Sequence, residues 1–110
     1  MAAAAFELDK NEKVDSWVKN DHLGFGIHYI FQGEHHRYRP DFIIRLTNEV
    51  NLVLEVKGQE TAQDKVKHAF LRDWIKAVNY DGRFGKWTSE VSFDPADISG
   101  IVINAFNFIG

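Results

Sequence analysis

Apolar residues recur along the chain with two different spacings, and these spacings divide it into predicted strands and a predicted helix. Three apolar runs, at 23–31, 38–46 and 52–57, are rich in aromatic and β-branched residues and are separated by polar turns. We expect them to form an antiparallel meander of three strands. From residue 61 to residue 79, apolar residues instead recur every three or four positions, which predicts an amphipathic helix.

The predicted helix has recognisable ends. Thr61 can cap its first turn, and Asp64 lies three positions later in a weaker form of the capping box. Gly82 lies just beyond the last apolar position, where a left-handed residue often ends a helix. After the loop 81–86, alternating residues at 87–93 predict a fourth strand.

The two ends of the chain carry less regular patterns. Residues 5–19 place apolar side chains among charges and are predicted to form one or two helical turns. Asp94 and Pro95 predict the start of a short final helix, because Asp caps helices and Pro suits the first helical position. The apolar tail at 98–109 fits either a strand or a helix. The order of elements predicts an α/β or α+β layered fold.

Composition restricts the class of protein. A length of 110 residues predicts one domain, and 45% hydrophobic with 26% charged residues is typical of a folded globular chain. The absence of cysteine excludes disulfides, thiolate zinc sites and a cysteine nucleophile. No apolar run is long enough to span a membrane, so we expect a cytoplasmic protein without a membrane partner. The net charge of −3 does not indicate a strongly basic nucleic-acid-binding protein.

Charged residues lie where two of the predicted strands meet. Asp41 follows Pro40 in the second run, and Glu55 and Lys57 close the third. Because side chains alternate along a strand, Glu55 and Lys57 share one face. If the hairpin closes around Asn48 or Glu49, Asp41 lies opposite Glu55 or Lys57 on that face. We therefore expect the three side chains to converge.

Two carboxylates this close repel each other unless a cation offsets their charge. Mg²⁺, or Mn²⁺ as its substitute, takes oxygen ligands, so Asp41, Glu55 and the backbone carbonyl of Val56 would form part of a suitable shell. A metal acidifies a bound water and neutralises charge on a phosphate oxygen. Lys57 would position or deprotonate that water, or stabilise the developing negative charge. The pattern predicts phosphodiester hydrolysis, and an ion pair on an exposed hairpin is the alternative interpretation.

The residues Pro40-Asp41 and Glu55-Val56-Lys57 give the chain a resemblance to the PD-(D/E)xK nuclease superfamily. From about residue 7 to about residue 97, it more narrowly resembles the C-terminal endonuclease domain of the restriction subunit of type III restriction enzymes. The further stretches that carry this resemblance are Val18-Lys19-Asn20, Leu23-Gly24-Phe25 with Ile27 and Tyr29, Tyr38, Phe42, Gly58, Trp74 with Ala77-Val78-Asn79, and Gly82-Arg83-Phe84-Gly85-Lys86-Trp87. Together they are far more specific than the triplet alone.

The resemblance implies a restriction-endonuclease-like core, in which a central mixed sheet of about four strands is flanked by helices. It implies Mg²⁺-dependent cleavage of double-stranded DNA, with Asp41 and Glu55 as metal ligands and Lys57 as the catalytic lysine. It also implies partners, namely a methylation subunit that selects the site, a helicase-like motor, and a second copy of the chain in a homodimer. Residues 1–110 would then be a single nuclease domain from a larger bacterial restriction subunit.

Three features depart from the family. Related domains carry a further acidic residue on the helix before the first strand, and here that helix is truncated, which leaves Glu7 and Glu12 as candidates. His28 stands where related domains usually have proline. The chain has no motor, and its loop 82–88 lacks the spacing of a phosphate-binding loop. We therefore expect no ATP site in this chain.

Basic residues predict where DNA would bind. Lys65 and Lys67 on the long helix, and Arg83 and Lys86 after it, are candidates for phosphate contacts, with a solvated surface as the alternative. Four histidines cluster without the spacing of a metal site and are expected at the surface: His22, His28, His35 and His36. Three tryptophans are expected to pack in the core: Trp17, Trp74 and Trp87. A second functional hypothesis is a non-catalytic DNA-binding or oligomerisation module derived from a nuclease fold.

Overall fold

The computed structural model describes residues 2–21 and 23–108. Over these residues the chain forms three α-helices, six β-strands and one turn of 3-10 helix. In chain order they are α1 (Ala2–Asp9), β1 (Val14–Lys19), β2 (Ile27–Phe31), β3 (Glu34–Tyr38), β4 (Phe42–Leu46), β5 (Asn51–Val56), α2 (Ala62–Asp81), β6 (Trp87–Ser92), the 3-10 turn (Pro95–Asp97) and α3 (Ile98–Phe106). None of these helices combines the length and the apolar character needed to cross a membrane.

Four of the strands form one mixed sheet in the order β1, β4, β5, β6. β4 pairs antiparallel with β1 and with β5, whereas β6 pairs parallel with β5. A parallel pair needs a long crossover connection, and α2 provides it. The predicted fourth strand is present as β6. The α+β class, with a mixed sheet of four strands flanked by helices, is confirmed.

The first predicted strand, 23–31, does not join this sheet. Within the described ranges β2 and β3 pair with each other alone, as a separate antiparallel hairpin. Gln32 and Gly33 have positive φ angles of 51° and 77°, as a two-residue hairpin turn requires, so the chain turns back at once. Pro40 has no N–H and interrupts the second apolar run, so β4 begins only at Phe42. The predicted three-strand meander is therefore wrong.

The segment 5–19 is part helix and part strand. α1 ends at Asp9, and β1 then pairs with β4 at the edge of the sheet. The register shifts between Val14 and Ser16, so that the half-buried side chains of Val14 and Trp17 lie three positions apart. Such a bulge imitates the spacing of a helix, which is why the helical prediction is wrong for this strand.

The long helix begins and ends close to the predicted positions. Thr61 Oγ1 accepts a hydrogen bond from the Asp64 N–H at 3.2 Å, and the Asp64 carboxylate accepts one from the Thr61 N–H at 2.9 Å, which closes a capping box. Gly82 ends the helix with a φ of 79°. Nearer the C-terminus, Asp94 caps the 3-10 turn. The tail forms α3, and its last predicted residue, Ile109, lies outside the described residues.

Apolar side chains pack on both faces of the sheet. On one face, α1 and α3 cover buried residues of β4 and β5, including Ile44, Leu52 and Leu54. On the other face, α2 and the β2–β3 hairpin cover Val53. β5 is thus buried on both sides, and its C-terminal end carries Glu55 to the junction between the sheet and α2.

Candidate active site

Asp41 and Glu55 lie opposite each other at one end of the β4–β5 pair. The register pairs Phe42 with Leu54, so the next step outward places Asp41 beside Glu55. The Asp41 carboxylate accepts a hydrogen bond from the Val56 N–H at 2.9 Å. The structure therefore brings together the two carboxylates that the sequence singles out.

Asn20 holds the peptide that carries Asp41. Its backbone N–H donates to the Asp41 carbonyl at 2.8 Å. Its side-chain amide donates to the carbonyls of Phe25 at 2.8 Å and Pro40 at 3.0 Å. These hydrogen bonds tie the segment before β4 to the end of β1, so the start of β4 has a defined position.

Glu55 is buried, and its partner is a histidine of α2. The Glu55 side chain is 7% exposed, and its Oε2 lies 2.8 Å from Nε2 of His68. The other ring nitrogen of His68, Nδ1, lies 2.7 Å from Oε2 of Glu60. We call these three side chains the Glu55–His68–Glu60 triad. A buried carboxylate without a partner is strongly unfavourable, so His68 accounts for the position of Glu55.

The sequence prediction does not include His68, although a signal for it exists. His68, Leu71 and Ile75 follow one another at three and four positions and form part of the buried face of α2. A polar residue at such a position needs a hydrogen-bond partner inside the protein. Glu55, at the end of the strand under α2, supplies that partner.

Lys57 is held by a second carboxylate of α2. Its Nζ lies 3.0 Å from Oδ1 of Asp64, which is almost fully buried. The hydrogen bond to Asp64 raises the pKa of Lys57, burial opposes the rise, and the charges of Glu55 and Asp41 add to it. Lys57 is therefore protonated at neutral pH. An ammonium group can position a water or stabilise negative charge, but it cannot accept a proton.

Asp64 serves both the helix cap and this lysine. Burial acts to raise the pKa of Asp64, but hydrogen bonds from Thr61 and Lys57 outweigh burial and hold that pKa well below its usual value. Lys67 brings a second ammonium group to 3.5 Å from the same carboxylate. Because Asp64 is charged at neutral pH, it anchors Lys57 just beyond the end of β5.

Tyr38 forms one wall of the site. Its ring meets the His68 ring edge-on, with 5.9 Å between the centroids. Its hydroxyl oxygen is buried and makes no hydrogen bond to any described residue. Burial, and after it the nearby charge of Glu55, raises the pKa of Tyr38, so the hydroxyl keeps its proton. The Tyr38 hydroxyl and the Glu55 carboxylate are therefore neighbours inside the site.

A cleft of ≈ 200 Å³ opens beside Tyr38 and His68. Arg72 of α2, together with Ser89 and Glu90 of β6, also lines this cleft. The cleft therefore reaches Tyr38 and His68 from between α2 and β6, and Asp41, Glu55 and Lys57 are not among the described residues that line it.

Asp41, Glu55 and Val56 supply the donor chemistry that Mg²⁺ takes. Each carboxylate uses one oxygen for a hydrogen bond to the protein, Oδ2 in Asp41 and Oε2 in Glu55, and the second oxygen makes none to a described residue. Mg²⁺ in proteins is usually held by one or two carboxylates and several waters. The residues present therefore fit Mg²⁺.

Glu7 and Glu12, the candidates for a further metal ligand, belong to another part of the molecule. They line a pocket of ≈ 300 Å³ against α3, on the face of the sheet opposite α2, and Glu7 pairs with Lys10 at 3.2 Å. In the part of the chain that the structure describes, no group of three or more His, Asp or Glu side chains has the arrangement of a metal site. A metal at Asp41 and Glu55 would take its other ligands from the backbone and from water.

The four predicted DNA-binding residues lie towards the two ends of α2, which at 20 residues is about 30 Å long. Lys65 is exposed, whereas Lys67 is engaged with a buried carboxylate. Beyond the other end, Lys86 is exposed, and Arg83 binds Asp81 with an Nε to Oδ1 distance of 2.6 Å. Two of the four cations are thus neutralised by neighbouring carboxylates.

The histidine and tryptophan predictions concern residues outside this site. His28 and His35 are exposed, and His36 is half-buried and stacks on Tyr29 with 5.2 Å between the ring centroids. His22 lies outside the described residues. The tryptophans are half-buried against the two apolar clusters, as predicted: Trp17, Trp74 and Trp87.

Comparisons of the chain with protein-family models, with curated proteins and with solved structures gave no significant match. The function is therefore inferred from the residues and contacts of this site, together with the motifs in the sequence.

Proposed function

We propose that this chain is a metal-dependent DNA endonuclease domain with a restriction-endonuclease-like core, of the kind found in type III restriction enzymes. The observation that carries the proposal is the convergence of Asp41, Glu55 and Lys57 at one end of the mixed sheet. The reaction is hydrolysis of phosphodiester bonds in double-stranded DNA, with Mg²⁺ or Mn²⁺ as the cofactor.

The order of elements supports this core. With the β2–β3 hairpin set aside, the chain runs helix, three strands, helix, strand, and the last strand lies parallel to the third. Asp41 precedes the second strand of the sheet, and Glu55 and Lys57 lie at the end of the third, directly before the crossover helix. This is the sequence context in which the motif of the PD-(D/E)xK superfamily is expected.

The protein side chains have separate roles in the proposed reaction. A divalent metal bound by Asp41 and Glu55 would acidify a water and neutralise charge on a phosphate oxygen. The Lys57 ammonium group positions the attacking water or stabilises the negative charge that builds on the phosphate. His68 holds the Glu55 carboxylate in one orientation, and the Tyr38 hydroxyl lies beside that carboxylate.

We extend the proposal to the partners that the resemblance implies. The chain would act as the nuclease part of a larger bacterial restriction enzyme, beside a helicase-like motor that supplies ATP dependence. A methylation subunit would select the DNA site. Two copies of the chain would cut the two strands of the duplex.

A plasmid-nicking assay on the full chain tests the proposed activity. We expect nicking with Mg²⁺ or Mn²⁺, none in EDTA, and a loss of about 10²-fold or more in Asp41→Asn and in Lys57→Ala. Glu49→Gln is the matched carboxylate control, because Glu49 is an exposed residue of the β4–β5 turn, and it should nick at the full rate. Nicking without metal, or nicking that both site substitutions leave unchanged, would contradict the proposal.

The second candidate is the non-catalytic module for DNA binding or oligomerisation. One observation favours it: among the described residues, no third metal-binding side chain is grouped with Asp41 and Glu55. Isothermal titration calorimetry with each metal separates the two candidates. Heat of metal binding that is seen in the wild type and lost in Asp41→Asn supports the nuclease. No heat of binding with Mg²⁺ or Mn²⁺ in the wild type supports the non-catalytic module.

A further inference from the structure

Three cationic side chains form a stripe along α2. Lys65, Arg72 and Lys76 are seven and four positions apart, which places them on one face of the helix. All three are exposed, and none forms an ion pair with another residue in 2–21 or 23–108. They are therefore uncompensated positive charges, unlike Lys67 and Arg83.

Two of these cations line a groove between α2 and β6, which we call the α2–β6 groove. The groove has a volume of ≈ 540 Å³, and polar and apolar side chains from α2, β6 and the tail line it: Arg72, Ile75, Lys76, Asn79, Tyr80, Thr88, Ser89 and Phe108. No carboxylate is among the described residues that line it. Cations and hydroxyl donors are the groups that proteins use to contact phosphate oxygens.

The strand side and the far end of the groove add two further features. β6 pairs only with β5 in the described sheet, and side chains already accept two of its edge N–H groups, Trp87 N–H at Asn79 Oδ1 (2.8 Å) and Val91 N–H at Glu90 Oε1 (3.0 Å). Tyr80 is 95% exposed, which leaves an aromatic ring in solvent beside the cations. Exposed aromatic rings stack on bases, so Tyr80 fits a nucleic-acid strand.

The groove meets the cleft beside Tyr38 and His68, and His68 contacts Glu55 of the candidate active site. Arg72 and Ser89 line both the groove and the cleft beside Tyr38 and His68. From His68 to Lys76 is eight residues, or about 12 Å along the helix axis. That length corresponds to about three or four nucleotides at about 3.4 Å each along one strand.

We propose that the α2–β6 groove holds the phosphodiester backbone of one DNA strand next to the phosphate that is cleaved. This inference rests on the proposed function, because it takes Asp41 and Glu55 as the place of cleavage. Arg72 and Lys76 contact successive parts of the backbone, without reading the sequence. The groove therefore supplies affinity and the direction in which the strand leaves the site.

Metal-free DNA binding tests the groove separately from cleavage. The affinity of the full chain for a fluorescein-labelled 30-base-pair duplex is measured by anisotropy in EDTA, between 50 and 200 mM salt. For Arg72→Ala/Lys76→Ala, we expect the slope of log affinity against log salt to fall by about 2, since each phosphate contact contributes about 0.9. We also expect binding at 100 mM salt to weaken by about tenfold or more.

Lys10→Ala/Lys13→Ala is the matched control. It removes the same charge from the opposite face of the sheet, where both lysines border α3, and it should leave the slope unchanged. Glu90→Gln is expected to strengthen binding about twofold, because Glu90 is the one described carboxylate in the cleft that continues the groove. Circular dichroism checks that each variant is folded.

The outcomes separate the groove from the nuclease. Three results would each overturn the groove assignment. The first is an equal salt slope for the groove variant and the control, and the second is no DNA binding by the wild-type chain. The third is that poly-glutamate of the same charge binds as tightly as the DNA. If Arg72→Ala/Lys76→Ala reduces the salt slope but the wild-type chain never nicks DNA, the groove assignment stands and the nuclease proposal is wrong. If nicking depends on Asp41 but Arg72→Ala/Lys76→Ala leaves the salt slope unchanged, the nuclease proposal stands and the groove assignment is wrong.

Discussion

Replacing His68 by leucine tests whether the histidine holds Glu55 in place. Leucine fills a similar part of the buried face of α2 but offers no hydrogen bond to either carboxylate of the Glu55–His68–Glu60 triad. The Glu55 side chain is 7% exposed and would be left without its partner, whereas Glu60, at 27%, can be hydrated more easily. The cost therefore comes mainly from Glu55.

The magnitude follows from the burial of this pair. Leaving a buried carboxylate without its hydrogen-bond partner costs about 3 kcal/mol or more, because its desolvation is then uncompensated. We take the lower end, about 3 kcal/mol, since Glu55 also lies near Lys57. In a domain of this size, about 1 kcal/mol shifts the melting temperature by about 4–8 °C, so His68→Leu should lower it by about 12–24 °C.

Urea denaturation of four chains measures the coupling between the two side chains. They are the wild type, His68→Leu, Glu55→Leu and the double variant, in which both partners are apolar and no buried charge is left unpaired. The double variant should recover about 2 kcal/mol relative to the sum of the single variants. His35→Leu, at an exposed position, should change stability by no more than about 0.5 kcal/mol. A cost below about 1 kcal/mol for His68→Leu, or additive single effects, would refute the reasoning.

Three further substitutions test other contacts of the site and of α2. Asp64→Asn should destabilise the fold by about 2 kcal/mol at pH 7. The pKa of Asp64 is lower in the folded state than its usual value of about 3.9, so the stability difference between the wild type and Asp64→Asn should shrink as the pH falls below about 4. Urea midpoints of both chains across this pH range measure the change. Gly82→Ala should cost about 1 kcal/mol in thermal unfolding, because φ is 79° there, and Gly82→Asn should cost less. Asn20→Ala should cost about 1–3 kcal/mol in urea and, under the proposed function, slow nicking by displacing Asp41.

The elements that sequence analysis predicts best are those whose signals are local. The helix α2 has its cap residue, its apolar spacing and its terminal glycine within one continuous stretch. The convergence of Asp41 and Glu55 also depends on local information, because a short turn sets the register of β4 against β5. A short connection leaves few alternative pairings, so spacing along the chain determines position in space.

The parts that the sequence does not predict depend on contacts between distant segments. β1 pairs with β4 across an inserted hairpin, and its bulge hides the alternation that would mark a strand. His68 is recognisable as a site residue only when α2 lies over the end of β5, thirteen positions earlier in the chain. Side-chain type alone does not distinguish this buried histidine from an exposed one such as His35.

The distribution of charge explains how a chain with a net charge of −3 can act on a polyanion under the proposed function. Carboxylates are concentrated at the end of β5 and the start of α2, at Asp41, Glu55, Glu60 and Asp64. Lys57 and Lys67 compensate them only in part, and under the proposed function a divalent cation offsets the rest. The unpaired cations instead lie along α2, one to two turns away from His68, where they attract phosphate without competing for the metal. Net charge averages these two regions, and a prediction of nucleic-acid binding from the total is therefore less reliable than one from the separate surfaces.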